Sequence, residues 1–146
     1  MIAADPSPRA RPSQSPADQA RRALGRRGER LAADHLVGRG CDVLARNVRT
    51  RHGEIDLIVS EGDTLVFAEV KTRTVNARQR RVREDQDPLS GLDVRQRLRL
   101  RRLASAWLRD SGGGRTPSRT IRFDAIGVVI DTSGRLRRID HVADAW

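Results

Sequence analysis

The sequence predicts one α/β or α+β domain in which helices pack against a mixed central sheet. Three observations predict it. Two segments carry an apolar period of helical type, five shorter segments read as strands separated by turn signals, and the order along the chain is helix, three strands, helix, two strands. At 146 residues there is room for one hydrophobic core and not for a second full domain. No internal repeat is visible.

Residues 1–18 contain four prolines and many small polar side chains, too little apolar surface to offset the entropy of ordering. They read as a disordered basic arm, and brushing a phosphate backbone is the alternative reading. A helix is expected from residue 18 or 19 to residue 39. Leu24, Leu31, Ala32 and Leu36 gather on one side, with Arg26, Arg27 and Arg30 mostly opposite. Gly38 and Gly40 supply its stop. Gly28 in its interior costs about 1 kcal/mol relative to alanine, and a close approach of backbone explains it. Glu29 falls on the wheel beside Ala32, Ala33 and Leu36, where a carboxylate requires a cation or a metal.

Residues 41–50 form the first expected strand, and residues 51–73 the next two, joined by a tight turn at Glu61, Gly62 and Asp63. Ile55, Leu57 and Val59 are expected on one face of the second strand. In the third, Val66, Ala68 and Val70 alternate with Leu65, Phe67, Glu69 and Lys71. One face is then purely apolar, and the other turns ionisable away from the turn. Residues 74–91 lack periodicity and read as a long mobile loop. A second helix is expected over residues 93–109. Val94, Leu98, Leu103, Ala104, Trp107 and Leu108 are available for packing, and Arg95, Arg99, Arg102 and Arg109 lie largely outside. Two last strands flank Thr132, Ser133 and Gly134.

The formal net charge is +10, and 28 of the 29 basic residues are arginine. Such a field attracts a polyanion, which favours nucleic acid; a general arginine bias in composition is the alternative source. The single Cys41 excludes an intrachain disulfide and a cysteine-based metal cluster, fits a reducing cytoplasm, and reads as a small buried hydrophobe. No run approaches the roughly 20 apolar residues of a membrane span, and the amino terminus lacks the apolar core of a secretory signal. The expectation is a cytoplasmic protein with no membrane association. Without tyrosine, and with two phenylalanines, the chain has little with which to stack bases. Trp107 and Trp146 read as packing anchors. Contacts should favour phosphates and DNA shape.

The one lysine, Lys71, stands two residues after Glu69. If the turn is the two-residue Gly62-Asp63 or the four-residue 61–64, Asp56 lies directly opposite Glu69. Opposed side chains on one face are about 4.5 to 5.5 Å apart at Cβ, close enough for two carboxylates to share a divalent cation. Oxygen donors without a cysteine cluster or histidine pair favour Mg²⁺, with Mn²⁺ as second choice. Asp56, Glu69 and the Val70 carbonyl would hold the ion, and Glu29 can join them from the first helix. Lys71, a compact ammonium where arginine's fork fits poorly, would sit near the attacking water and a phosphate oxygen. Two blander readings compete: in the same register Lys71 also faces Glu54 and can simply pair with it, and Glu29 can cap Arg51 or Arg73. His52 at the strand entry reads either as a phosphate contact or proton shuttle, or as an ordinary turn residue. His35 and His141 have no sequence-local ligands.

Three segments, GRRGERLAADHL, NVRTRHGEIDLI and VFAEVKTR, resemble the YraN-type uncharacterised protein family, whose members are similar to archaeal Holliday-junction resolvases and to restriction-endonuclease-like nucleases. The resemblance covers approximately residues 24–142, and FDAIGV from Phe123 belongs to it. It implies a restriction-endonuclease-like fold with Glu29, Asp56, Glu69 and Lys71 as catalytic residues, DNA as partner, and a homodimer. Candidate DNA contacts are Arg26, Arg27, Arg51, His52, Arg73, Gln96 and Arg99. Gln96 matches a glutamine that the family often carries in the second helix, and surface polarity is its other reading. The charged run after KTRT departs from the family's usual shorter, glycine-containing connection. The function expected is a metal-dependent, structure-directed DNA endonuclease, with branched DNA as one candidate substrate. The alternatives are a non-catalytic nucleic-acid-binding or DNA-processing adaptor, and a metal-stabilised interaction protein.

Overall fold

A computed structural model of the chain describes residues 15–111 and 120–145. Residues 1–14 of the expected arm, and Trp146, lie outside the described residues. The first helix, α1, spans Pro16–Gly38 and starts two to three residues earlier than the apolar period suggests. Its start is set by polar chemistry: the Ser15 hydroxyl accepts from the Asp18 amide at 3.2 Å, and Pro16 opens the first turn. Gly28, Ala32, Ala33 and Leu36 are its buried residues.

Strands β1 (Asp42–Thr50), β2 (Gly53–Glu61) and β3 (Thr64–Val75) follow as an antiparallel meander. Helix α2 (Val94–Asp110) carries the chain to β4 (Thr120–Asp131), which pairs in parallel with β3, and β5 (Leu136–Val142) returns antiparallel. The result is one five-stranded sheet in the order β1-β2-β3-β4-β5. The mixed α/β architecture expected from the sequence is present.

Each helix owns one face of the sheet. Ala32, Ala33 and Leu36 of α1 pack on Leu57, Val59, Val66, Ala68, Val70 and the even-numbered residues 126–130 of β4. Leu100, Leu103 and Ala104 of α2 pack on Ile55, Ile58, Leu65 and Phe67. Phe67 is fully buried and meets Trp107 edge to face, with ring centroids 5.8 Å apart. A side chain of this kind contributes about 1.5–3 kcal/mol by leaving water.

Two packing expectations are corrected. Val94 and Leu98 do not pack; they are 66% and 54% exposed, because the buried stripe of α2 runs through Leu100, Leu103, Ala104 and Ala106. Ile55 does not share a face with Leu57 and Val59, since it joins the α2 side. The alternation breaks at Asp56.

Several contacts join the 74–91 segment, read from the sequence as a loop, to the strands beside it. Strand β3 continues to Val75, in register with Asp131, and a short 3-10 turn occupies Glu84–Gln86. Arg137 donates to the carbonyls of Gln79 and Arg80, and Arg73 to that of Asp85. Pro88 is buried, and a Cβ on Gly127 would come within 3.0 Å of Leu89. This connection covers β4 where α2 does not reach. Sequence periodicity cannot register it, because its anchors are single contacts to β4 and β5.

Candidate functional site

Asp56 sits where β2 separates from β3, while its pairing with β1 continues through Ile55↔Val48 and Glu54↔Arg49. The register expected for the β2–β3 turn holds from Glu61↔Thr64 to Leu57↔Ala68 and then stops, so Asp56 and Glu69 are not ladder partners. This corrects the direct opposition expected from the turn. On the other side Leu57 pairs with Arg46 and Ile55 with Val48, and Asn47 between them adopts the left-handed φ of 48°. With Ile55 and Leu57 sent to opposite faces, the Asp56 carboxylate turns into the seam and accepts from the Val70 amide at 2.8 Å.

That placement changes its chemistry. Burial pushes the Asp56 pKa up, the Glu69 charge adds to it, and the Val70 N–H only partly offsets both, leaving it at about 7 against an ordinary 3.8. Glu69 is 8% exposed and takes the Lys71 ammonium at 2.9 Å. The amine therefore pairs with its own strand neighbour and not with Glu54, which pairs with Arg49 at 3.8 Å. Lys71 is in register with Gly127 of β4, over which Leu89 and Pro88 lie, so the 76–91 connection runs alongside the Lys71 position.

Glu29 reaches the same region from α1. Burial raises its pKa, a hydrogen bond from Asn47 lowers it, and Glu54 and Glu69 raise it further. Its Oε2 is buried and has no hydrogen-bond partner. Neither Arg51 nor Arg73 caps it: Arg51 donates to His52, and Arg73 to Asp85. What lets α1 approach is Gly28, where a Cβ would overlap the Thr72 hydroxyl of β3 and lie 2.9 Å from that residue's Cβ and Cγ2. An open cavity of about 630 Å³ borders Glu29, lined also by Arg22, Arg26, Asn47, Arg49 and Glu54.

The structure thus brings Glu29, Asp56, Glu69 and Lys71 into one electrostatic neighbourhood. Among the described residues, no set of three or more His, Cys, Asp or Glu side chains is gathered tightly enough to hold an ion by itself. Of the candidate DNA contacts, Arg26 lines the Glu29 cavity, and His52 lines a cavity beside α2 together with Arg99. Arg27 is engaged elsewhere, by the Gly134 carbonyl of the β4–β5 turn. Gln96 has a buried, unpartnered Oε1, and its backbone N–H donates to the Asp93 carboxylate at 2.9 Å.

Sequence reasoning missed two features. Asn47 carried no signal beyond its tolerance of left-handed backbone. The other is a buried network around Asp124, which is 0% exposed and accepts from Arg122, His141 and the Asp144 amide at 2.8 to 3.0 Å. Burial pushes the Asp124 pKa up, but the His141 and Arg122 hydrogen bonds outweigh it and hold the group at about 2. Arg122 also reaches Glu61, and the His35 ring stands edge-on to His141 at 5.4 Å. Alternation of Arg122 with Asp124 on one strand was its only trace in the sequence. Cys41 is buried as expected, and burial raises its thiol pKa.

Fold and site together define a class: a mixed-sheet α/β protein in which β2 and β3 diverge around a half-buried carboxylate beside a Glu-Lys pair. More particularly, the chain belongs to the uncharacterised protein family UPF0102, whose profile matches residues 28–128. It is 42% identical over 127 residues to a UPF0102 protein of Pelotomaculum thermopropionicum, covering 87% of this chain and 98% of that one. It is 44% identical over 124 residues to one of Rhodococcus jostii, covering 85% and 96%, and 42% identical over 116 residues to one of Streptomyces coelicolor, covering 79% and 82%. No described helix is long and apolar enough to cross a membrane.

Proposed function

We propose that this protein is a Mg²⁺-dependent, structure-directed DNA endonuclease on a restriction-endonuclease-like fold, with its hydrolytic centre at Asp56, Glu69 and Lys71. The observation that carries the reading is the Asp56 carboxylate seated in the seam between β2 and β3, beside Glu69, with its charge disfavoured. Two acids in that position fit a hard cation, the donors are all oxygen, and the unpartnered Oε2 of Glu29 adds a further one. Mg²⁺ held by Asp56, Glu69 and the Val70 carbonyl, with Glu29 joining, would supply charge stabilisation on the reacting phosphate and acidify water; Mn²⁺ suits the same donors.

The chain's own groups do the remaining work. The Lys71 ammonium, paired with Glu69 at 2.9 Å, would hold a non-bridging phosphate oxygen and the attacking water. The water oxygen forms the new P–O bond, the bridging P–O bond breaks, and the departing oxygen takes up a proton. The net charge of +10 draws the polyanion in. A homodimer would set two such centres across a branched substrate.

The test is a cleavage panel of duplex, flap, gapped and four-way DNA with Mg²⁺ or Mn²⁺, run beside Glu69→Ala. Cleavage by the wild type and a loss of at least 100-fold in the variant are expected, in line with loss of charge stabilisation at a reacting centre. Equal rates for Glu69→Ala would remove the assignment. Two observations favour a second reading, that of a non-catalytic DNA-binding adaptor: no described trio of ligands is preassembled, and Lys71 already has its partner. Wild-type inactivity on the whole panel, with DNA binding retained, selects that reading.

A further inference from the structure

Several arginines of the described chain end on carboxylates: Arg49 on Glu54, Arg83 on Asp85, Arg122 on Asp124, Arg138 on Asp140. Along the outer face of α2 the pattern reverses. Among the described residues Arg95, Arg99 and Arg102 have no ion-pair or hydrogen-bond partner. With His52 and Leu98 they line a cavity of about 390 Å³ that no carboxylate borders. Arg99 rests against the β1–β2 turn: Gly53 has a φ of 137°, and a Cβ there would lie 2.9 Å from the Arg99 guanidinium.

The same turn has a second basic flank. Glu54 and Arg49 line the Glu29 cavity, with Arg22 and Arg26 of α1 across from them. Helices α1 and α2 cover opposite faces of the sheet, so the two arginine surfaces approach the turn from opposite sides. The turn itself is a firm projection. The Thr50 hydroxyl accepts from the His52 amide at 3.1 Å and donates to the Gly53 carbonyl at 3.0 Å, while Arg51 and His52 are exposed.

We infer that the β1–β2 turn enters the major groove of double-stranded DNA, with Arg22 and Arg26 on one phosphate backbone and Arg99 and Arg102 on the other. A two-stranded ribbon fits that groove, which is about 12 Å wide. A lone backbone would have to wrap over the turn to meet both flanks. Single strands are also held on stacked aromatic rings, and here Phe67 and Trp107 are committed to the core between α2 and the sheet. Unpaired guanidiniums instead suit phosphates, which position a duplex without reading its sequence. The inference rests on the nucleic-acid reading above and names the form of the partner.

The experiment measures binding of a duplex of about 20 base pairs, and of one of its strands, across a salt series in EDTA, so that cleavage is not required. The wild type should prefer the duplex. Arg99→Ala with Arg102→Ala, and separately Arg22→Ala with Arg26→Ala, should each make the log K against log salt slope shallower by about 1.8, two phosphates at about 0.9 each. Circular dichroism melting verifies that these variants, all on the helix exteriors, remain folded. Equal wild-type affinity for single strand and duplex, or an unchanged slope in the α2 pair, overturns the inference. Duplex binding with both slope changes but no cleavage under any metal removes the endonuclease reading and leaves this one standing. Cleavage with an unchanged α2 slope does the reverse.

Discussion

Asp56→Asn separates charge from shape at the centre of the site. The amide oxygen can still accept from Val70 N–H, now at 2.8 Å to Oδ2, while the ionisable group is gone. Asp56 in the fold has a pKa of about 7, above the ordinary 3.8, so the folded chain holds the proton more tightly than the unfolded one. Ionisation therefore favours the unfolded chain. The contribution of this carboxyl group to stability falls as pH rises from about 4 to about 7 and is lost above that. Roughly three units at 1.36 kcal/mol each bring the penalty to about 4 kcal/mol near pH 8. Urea denaturation without divalent cations should find Asp56→Asn more stable than wild type near pH 8, with the gap closing towards pH 4. Mg²⁺ at 100 times its dissociation constant should return about 2.7 kcal/mol to the wild type near pH 8, and much less to the variant. A variant less stable than wild type near pH 8, or a difference independent of pH, would refute a seam in which burial and Glu69 disfavour the Asp56 charge.

Other perturbations test the supports of the site. Gly28→Ala should cost about 1–3 kcal/mol from overlap with Thr72, despite a gain of about 1 kcal/mol in helix propensity, and Thr72→Gly should relieve it non-additively in a double-mutant cycle followed by denaturant. Additive effects would mean that α1 does not depend on this approach. Asp124 is held at about 2, so its stabilising contribution is present above 3.8 and lost as pH falls through 2. Asp124→Asn should accordingly cost about 2 kcal/mol near neutrality, fading below about pH 4, as read from thermal melts across that range.

Much of the fold was legible because its apolar periods are regular. Leu57, Val59, Val66 and Ala68 alternate in sequence and share one face in space, and Ala32, Ala33 and Leu36 meet them at helical spacing. The tight turn also set the β2–β3 register over Leu57 to Glu61. Of the site, the residue types were legible and their geometry was not. Turn chemistry propagates a register only while the ladder continues, and the β2–β3 ladder ends at Leu57↔Ala68, one residue short of Asp56.

The anchored 76–91 connection and the Asp124 network were invisible for a related reason. Each depends on contacts between residues far apart in the chain, such as Gln79 with Arg137 or Asp124 with His141, and no local pattern encodes them. The sequence by itself determined the element types, the helical and strand faces, the basic charge and the acids and amine that could do chemistry. Only the tertiary structure decided that Asp56 leaves the ladder to face the Val70 amide, that Lys71 pairs with Glu69, and that Gly28 lets Glu29 come near. Periodicity reports which side of an element avoids water, whereas a carboxylate's charge state depends on burial and neighbours that exist once the strands have packed.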